Sequence, residues 1–289
     1  MGEDIGGAAR VWLVTGGSSG FGRAITEAAV EAGDVVVAAA RRPGALDDLV
    51  AARPDRVEAV ALDVTDTAAA AAVVADVQSR YGRIDVLVNN AGRGQVGAAE
   101  ETTDAELRAL FDLHVHGPAA LVRAVLPGMR ARGTGAIVQM SSFGGQVAYP
   151  GFSAYCATKF ALEGYSEALA AEVGPLGITV VVVEPGAFRT AFSGPGLVQS
   201  TRIPAYDATV GPTREMITGI GGAQPGDPAK AAAAILQALD AERPPLRLPL
   251  GDDAVDGILG HLEVVGAEVR EWEAVSRATA FAPAAGRAG

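Results

Sequence analysis

Six short runs of mostly apolar, often β-branched residues recur along the chain, at 11–15, 35–40, 57–62, 84–88, 136–140 and 178–183. Each is bounded by Gly, Pro or polar residues. A strand with one wet face alternates apolar and polar side chains; a strand that is apolar almost throughout has both faces covered. That is the signature of a parallel sheet between two helix layers. The segments between the runs are long enough for crossover helices. Two Ala-rich tracts, 68–75 and 229–234, read as helix because Ala is the best helix former. The expected fold is α/β: a single doubly wound Rossmann-type domain, with a mostly parallel sheet of about seven strands and helices on both faces. The 289 residues suffice for one such domain and not two.

Residues 11–280 are assigned to that domain. Within it, 188–226 is rich in Gly, Pro, Ser and Thr and loses periodicity, which predicts a mobile substrate-side segment. A helix follows Pro228, a short strand is expected near 246–248, and a last helix runs from about 252 to 276. Residues 1–10 read as a flexible arm and 281–289 as a loose tail. Lys and Arg number 23 against 34 Asp and Glu, a net charge of −11. Such a balance does not attract nucleic acid or an anionic membrane face. One cysteine, Cys156, allows no internal disulfide, and no leader-like pattern opens the chain; a cytoplasmic location follows by default. No metal site is expected.

The first run is followed by Thr15-Gly16-Gly17-Ser18-Ser19-Gly20-Phe21-Gly22, which opens a helix. Helix N-terminal amides and their dipole suit a pyrophosphate, and glycines let the backbone approach it. The spacing is T-G-x-x-x-G-x-G rather than G-x-G-x-x-G; an ordinary Gly-rich loop is the other reading. The second run ends at Ala40 and is followed by Arg41 and Arg42, where a carboxylate would hold adenosine ribose hydroxyls. Two guanidiniums without that acid fit the 2′-phosphate of NADP(H) better than NAD(H). Alternatively, both are solvated surface arginines.

Tyr155 and Lys159 stand at i and i+4 in a helical stretch and share a face. An adjacent ammonium favours the phenolate, which is expected to lower the phenol pKa and fit it for acid/base work. Ser142, just past the fifth run, can bond the same substrate oxygen as charge develops. The bland alternative is a packed Tyr beside a snorkelling Lys. Cys156 reads as buried packing, and His116 as a structural or surface residue.

Taken together, these residues resemble the short-chain dehydrogenase/reductase (SDR) family over about residues 10–250. The glycine loop, Asp63-Val64 for the adenine, and Asn89-Asn90-Ala91-Gly92 carry the likeness. So do Ser142, Tyr155 and Lys159, and Pro185-Gly186 with Thr190 on the nicotinamide side. The resemblance implies nicotinamide-dependent hydride transfer, ribose contacts from Tyr155 and Lys159, and a homo-oligomer, dimer or tetramer. One position departs from the family: His114 stands where its fourth catalytic residue is Asn. His114 either preserves that role through its backbone, acts in a modified relay, or alters the chemistry. Asp63 equally suits a turn-forming acid.

Phe143, Val147, Tyr149 and Phe152, with Phe188, Phe192, Leu197 and Val198, make the substrate side mostly apolar, although Arg189 and Arg202 are near. A largely apolar ketone, aldehyde or alcohol is the expected small-molecule substrate, unless several of these rings only close the core. The region of Glu163 and Tyr165 is the expected subunit contact. Two rivals use the same residues: a non-catalytic NADP sensor, and an epimerase or dehydratase that recycles its NADP internally.

Overall fold

The computed structural model describes residues 9–194 and 196–281. The arm and tail assigned from sequence therefore lie almost wholly outside the described residues. Seven strands form one parallel sheet: β1 (Val11–Thr15), β2 (Val35–Ala40), β3 (Val57–Ala61), β4 (Val86–Asn89), β6 (Gly135–Met140), β7 (Ile178–Pro185) and β9 (Arg247–Leu250). Their order is β3-β2-β1-β4-β6-β7-β9, and every neighbouring pair is parallel. β1 is buried over its whole length, as its unbroken apolar pattern requires.

Crossover helices cover both faces. On one side, α1 (Gly20–Glu31) packs against α8 (Pro228–Leu239), with Ile25, Ala29 and Ile235 meeting Trp12, Val14 and Val36. On the other, α3 (Thr67–Tyr81), α5 (Gly117–Arg132) and α6 (Ser153–Val173) bring Val74, Leu121, Val125 and Leu169 onto Leu13, Leu87 and Ile137. α3 starts where Asp66 accepts from the amides of Ala68 and Ala69, and it stops at Gly82, φ +75. α2 (Asp47–Ala52) and α4 (Asp104–Phe111) complete the N-terminal two-thirds. Strand order reverses between β1 and β4, the point where a sheet of this kind leaves a crevice at the carboxyl ends of its strands.

The structure differs from the sequence reading at three places. Segment 188–226 is not without structure: it contains β8 (Leu197–Gln199), which pairs with β5 (Gly94–Val96), and α7 (Asp207–Gly219). Gly211 and Pro212 inside α7 erased its helical signature, and β5 and β8 are only 3 residues long. The last helix is broken at Trp272 into α9 (Asp252–Glu271) and α10 (Glu273–Arg277). Between α4 and α5, residues Asp112–His116 form a π-helical turn, which no sequence pattern announced.

Candidate active site

At the crevice, Gly16 and Gly20 take φ +65 and +53, values that exclude most side chains. A Cβ on Gly22 would strike the Gly16 carbonyl, and one on Gly17 would meet Ala38 Cβ at 3.0 Å. The small Ala38 on β2 therefore sets how deep the loop sits. Thr15 Oγ1 accepts from the amides of Asn90 (2.9 Å) and Ala91 (3.1 Å), and Asn90 Nδ2 donates to the Thr15 carbonyl at 2.8 Å. The loops after β1 and β4 are thus one rigid unit. Ser19 caps α1 without a side-chain bond, leaving the first-turn amides of Gly20, Phe21 and Gly22 to whatever anion lies there.

The loop after β7 closes over the same place. Phe188 packs on Phe21 with ring centroids 5.1 Å apart, and a Cβ on Gly20 would lie 3.2 Å from Thr190 Cβ. Asp253, at the start of α9, accepts from the Ala187 amide at 2.8 Å and so fixes the loop just beyond Pro185 and Gly186. At the far end of the crevice Arg41 and Arg42 are exposed. Asp63 folds into a turn, accepting from Thr65 N (3.0 Å) and Oγ1 (2.7 Å). Those bonds, with some help from Arg41, hold its carboxyl below the usual range. Val64 is buried, and its carbonyl lies where a Cβ on Gly117 would go. The residues present fit a dinucleotide: positive-φ glycines, an uncapped helix start, and no carboxylate at the end of β2.

Tyr155 and Lys159 lie on one face of α6, both buried. Ser142 follows β6 and accepts from the Gly144 amide at 3.0 Å. Ser142 and Tyr155 converge on Gly144: a Cβ there would lie 3.2 Å from Tyr155 Cε1 and 3.5 Å from Ser142 Oγ. His114, Phe152 and Phe192 pack edge-on to the Tyr155 ring at 5.5–5.7 Å. Burial pushes the phenol pKa up, and the Ser142 hydroxyl pulls against that shift. The expected lowering by Lys159 is not realised in this arrangement. Its Nζ donates to the Met140 carbonyl at 2.8 Å and stands 5.8 Å from the ring centroid, rather than at the hydroxyl. Desolvation depresses the ammonium to about 8, with Glu163 opposing.

His114 sits in the π-turn, 1% exposed. Its Nε2 accepts from the Arg93 amide at 3.2 Å. An amide only donates, so Nδ1 carries the hydrogen and donates to Thr158 Oγ1 at 2.8 Å. Thr158 in turn donates to the Tyr155 carbonyl at 2.7 Å. Burial, then Lys159 and Arg93, drive the imidazole pKa well below its usual value, so the ring is neutral. His116 is exposed. Cys156 is buried with its thiol pushed up to about 11, which suits packing and not nucleophilic attack.

The apolar residues named from sequence divide. Phe152, Tyr149, Phe192 and Leu197 gather around Tyr155, joined by Val96, Leu107, Leu110 and Ile217. Phe143 stacks on Tyr149, with ring centroids 6.1 Å apart. Phe188 belongs instead to the cofactor side, and the Val147 carbonyl accepts from Cys156 Sγ. Arg189 is turned to the Gln224 carbonyl and Arg202 to Asp207. Sequence reasoning missed Thr158, Arg93 and a buried clasp. In that clasp Glu101, 1% exposed at its side chain, accepts from Arg214 (2.7 Å), the Ile203 amide (2.7 Å) and the Ala98 amide (2.7 Å). It ties the segment holding α7 to the loop after β5. Only Thr158 carried a usable signal, standing one turn after Tyr155. Behind Lys159, Glu163 and Glu184 share Gln146 and Arg247.

A profile of the short chain dehydrogenase family matches residues 10–197. The chain belongs to that family. Oxidoreductase BOA17 of Botryotinia fuckeliana is 39% identical over 272 residues, 94% of this chain and 99% of that protein. Among solved structures, a short-chain dehydrogenase from Streptomyces avermitilis has 64% identity and a TM-score of 0.91, covering 96% of this chain and 100% of its own. A metagenomic short-chain oxidoreductase solved in complex with NADP has 35% identity and a TM-score of 0.59, covering 62% and 83%. This SDR is therefore an oxidoreductase scaffold of the nicotinamide-binding kind. No helix among the described residues is long and apolar enough to cross a membrane.

Proposed function

We propose that this SDR is an NADP(H)-dependent oxidoreductase interconverting a ketone or aldehyde with an alcohol on a largely apolar small molecule. The observation that carries the reading is the convergence of Ser142 and Tyr155 beside Gly144, with Phe152 and Phe192 packed edge-on to the Tyr155 ring. NADP(H), when bound, supplies or takes the hydride. The amides of Ser18–Gly22 would hold its pyrophosphate, Arg41 and Arg42 its 2′-phosphate, and Asp63 and Val64 its adenine side. Asn90, Ala91 and Gly92 would line the middle, and Pro185, Gly186 and Thr190 the nicotinamide side. The exposed guanidiniums and the missing β2-end carboxylate support NADP over NAD, as does the NADP-bound relative.

Tyr155 passes the proton at Oη to or from the substrate oxygen. Its high pKa in the apolar pocket keeps the hydroxyl protonated, as a donor to a carbonyl must be. Ser142 Oγ bonds the same oxygen as it gains charge. Lys159 is the buried cation of the site; its ammonium is held below pH about 8 and lost above it, so activity that needs the cation declines as pH rises through that value. His114 is a positioning residue: with both nitrogens bonded within the protein, the ring holds Tyr155 through Thr158 instead of relaying protons.

A panel of apolar ketones and aldehydes, followed by NADPH absorbance with products identified by mass spectrometry, tests the proposal. Alcohol formed in step with NADPH loss supports it. NADPH binding with no turnover across the panel, or product without net nicotinamide change, overturns it.

A further inference from the structure

α9 is a 20-residue helix whose only buried side chains are Ala254 and Ile258, both in its first two turns. Beyond them it leaves the domain. Leu259, Leu262, Val265, Val269 and Trp272 are between 39% and 65% exposed. Monomeric proteins rarely expose a contiguous apolar patch above roughly a few hundred Å². A helix standing alone also needs good helix formers, yet α9 contains Gly257, Gly260 and Gly266. Gly257 is explained within the chain, because a Cβ there would meet Phe143 at 2.5 Å. Gly266 has no such neighbour but the guanidinium of Arg270.

The apolar positions are spaced at 255, 258, 262, 265, 269 and 272, alternating three and four. That is the 3.5-residue repeat by which one helix packs along another. The seam is also self-complementary when reversed. Set antiparallel with its own copy, the exposed part of it pairs Val255 with Trp272 and Leu262 with Val265, and Val269 lies over the turn where Ile258 is already buried in its own domain. The same register puts Leu259 opposite Gly266, filling the space the missing side chain leaves. It also puts His261 opposite Glu268 on the flank. A lipid surface is a poor occupant: residues 252–277 carry seven carboxylates against two arginines, the reverse of a membrane-binding helix.

We propose that α9 docks on α9 of a second copy of this chain, antiparallel and centred between Glu263 and Val264. This contact is separate from any made by α5 and α6. Because α9 starts beside Phe143 and holds the loop after β7 through Asp253, docking brings Trp272 of the second copy beside Val255, next to the entrance of the site.

The test measures molar mass by light scattering on size-exclusion chromatography of the full chain. Leu262→Glu with Val269→Glu touches only exposed positions, and is expected to halve the mass while leaving circular dichroism unchanged. Glu268→Lys alone is expected to weaken the assembly, and His261→Glu added to it to restore it. Orientation is read from nitroxide labels. Native Cys156 is buried with a raised thiol pKa and does not compete for label. Labels at Glu263→Cys are expected close together, whereas labels at Asp256→Cys are offset by 15 residues, about 22 Å along the axis. A wild type that is a monomer, an assembly whose mass the double variant leaves unchanged, or equally short distances at 256 and 263 each overturn the proposal.

Discussion

The two halves of the crevice are built differently. On the proposed cofactor side, main chain shapes the loops, and the side chains assigned to the ligand stand at the far end. Thr15 and Asn90 lock two loops together, and the rest is backbone shaped by Gly16, Gly17, Gly20 and Gly22. On the substrate side, side chains make much of the wall, and the segment holding α7 is tied down by the β5–β8 pairing and by Glu101, which accepts from Arg214 and two amides. The first half has a shape that fits a dinucleotide. The second can change its walls without changing the fold. On the proposed reading, recognition of the common reactant rests on rigid main chain, and choice of the variable reactant on replaceable side chains.

Variants can break that division. Tyr155→Phe, at the junction, is expected to lower kcat by about 10³-fold while the NADPH Kd, from fluorescence titration, stays within a factor of about two; a normal kcat ends the acid/base assignment. On the substrate side, Glu101→Ala strands Arg214 and two amides, for an expected loss of about 3 kcal/mol. Thermal unfolding and a raised KM at unchanged NADPH affinity check it; an equal loss of NADPH affinity would show that the halves are one unit. On the cofactor side, Arg41→Ala is expected to reduce the NADPH-over-NADH preference in kcat/KM by about 10- to 100-fold with no change in substrate KM.

Two smaller effects sharpen the view of what lies behind the site. Burial raises the Glu163 carboxyl to about 7, above its ordinary value near 4.3. The folded state therefore binds this proton more firmly than the unfolded chain. The stability that the proton confers is full below pH about 4 and lost as pH rises through 7. Glu163→Gln keeps a neutral side chain at every pH, so urea unfolding should find it more stable than wild type at pH 8, by about 1–2 kcal/mol, with the difference shrinking as pH falls and gone below pH about 4. His114→Asn is expected to leave the shape of the pH–rate profile unchanged, because the wild-type imidazole is already neutral. A limb that disappears with the histidine would reinstate a relay.

The sheet was legible because parallel strands buried on both faces write themselves as unbroken apolar runs; all six appear within two residues of where the pattern put them. The glycine loop was legible because it needs a residue type and a spacing. The Tyr155–Lys159 pair was legible as a shared helix face, but not its electrostatics. i and i+4 place two side chains on one side, whereas the direction of the Lys159 ammonium depends on the Met140 carbonyl of another strand. α7, with Gly211 and Pro212 inside it, and the π-turn at Asp112–His116 were not legible, since both exist through contacts with distant parts of the chain.

The amino-acid order by itself determined the layers and the glycine-shaped loop after β1, because local periodicity and glycine's freedom act within a few residues. Only the tertiary structure decided that His114 is buried with both ring nitrogens bonded, that Glu101 clasps the segment holding α7, and that α9 stands exposed. Burial, protonation and exposure are set by neighbours far away in sequence, and those neighbours come together only on folding.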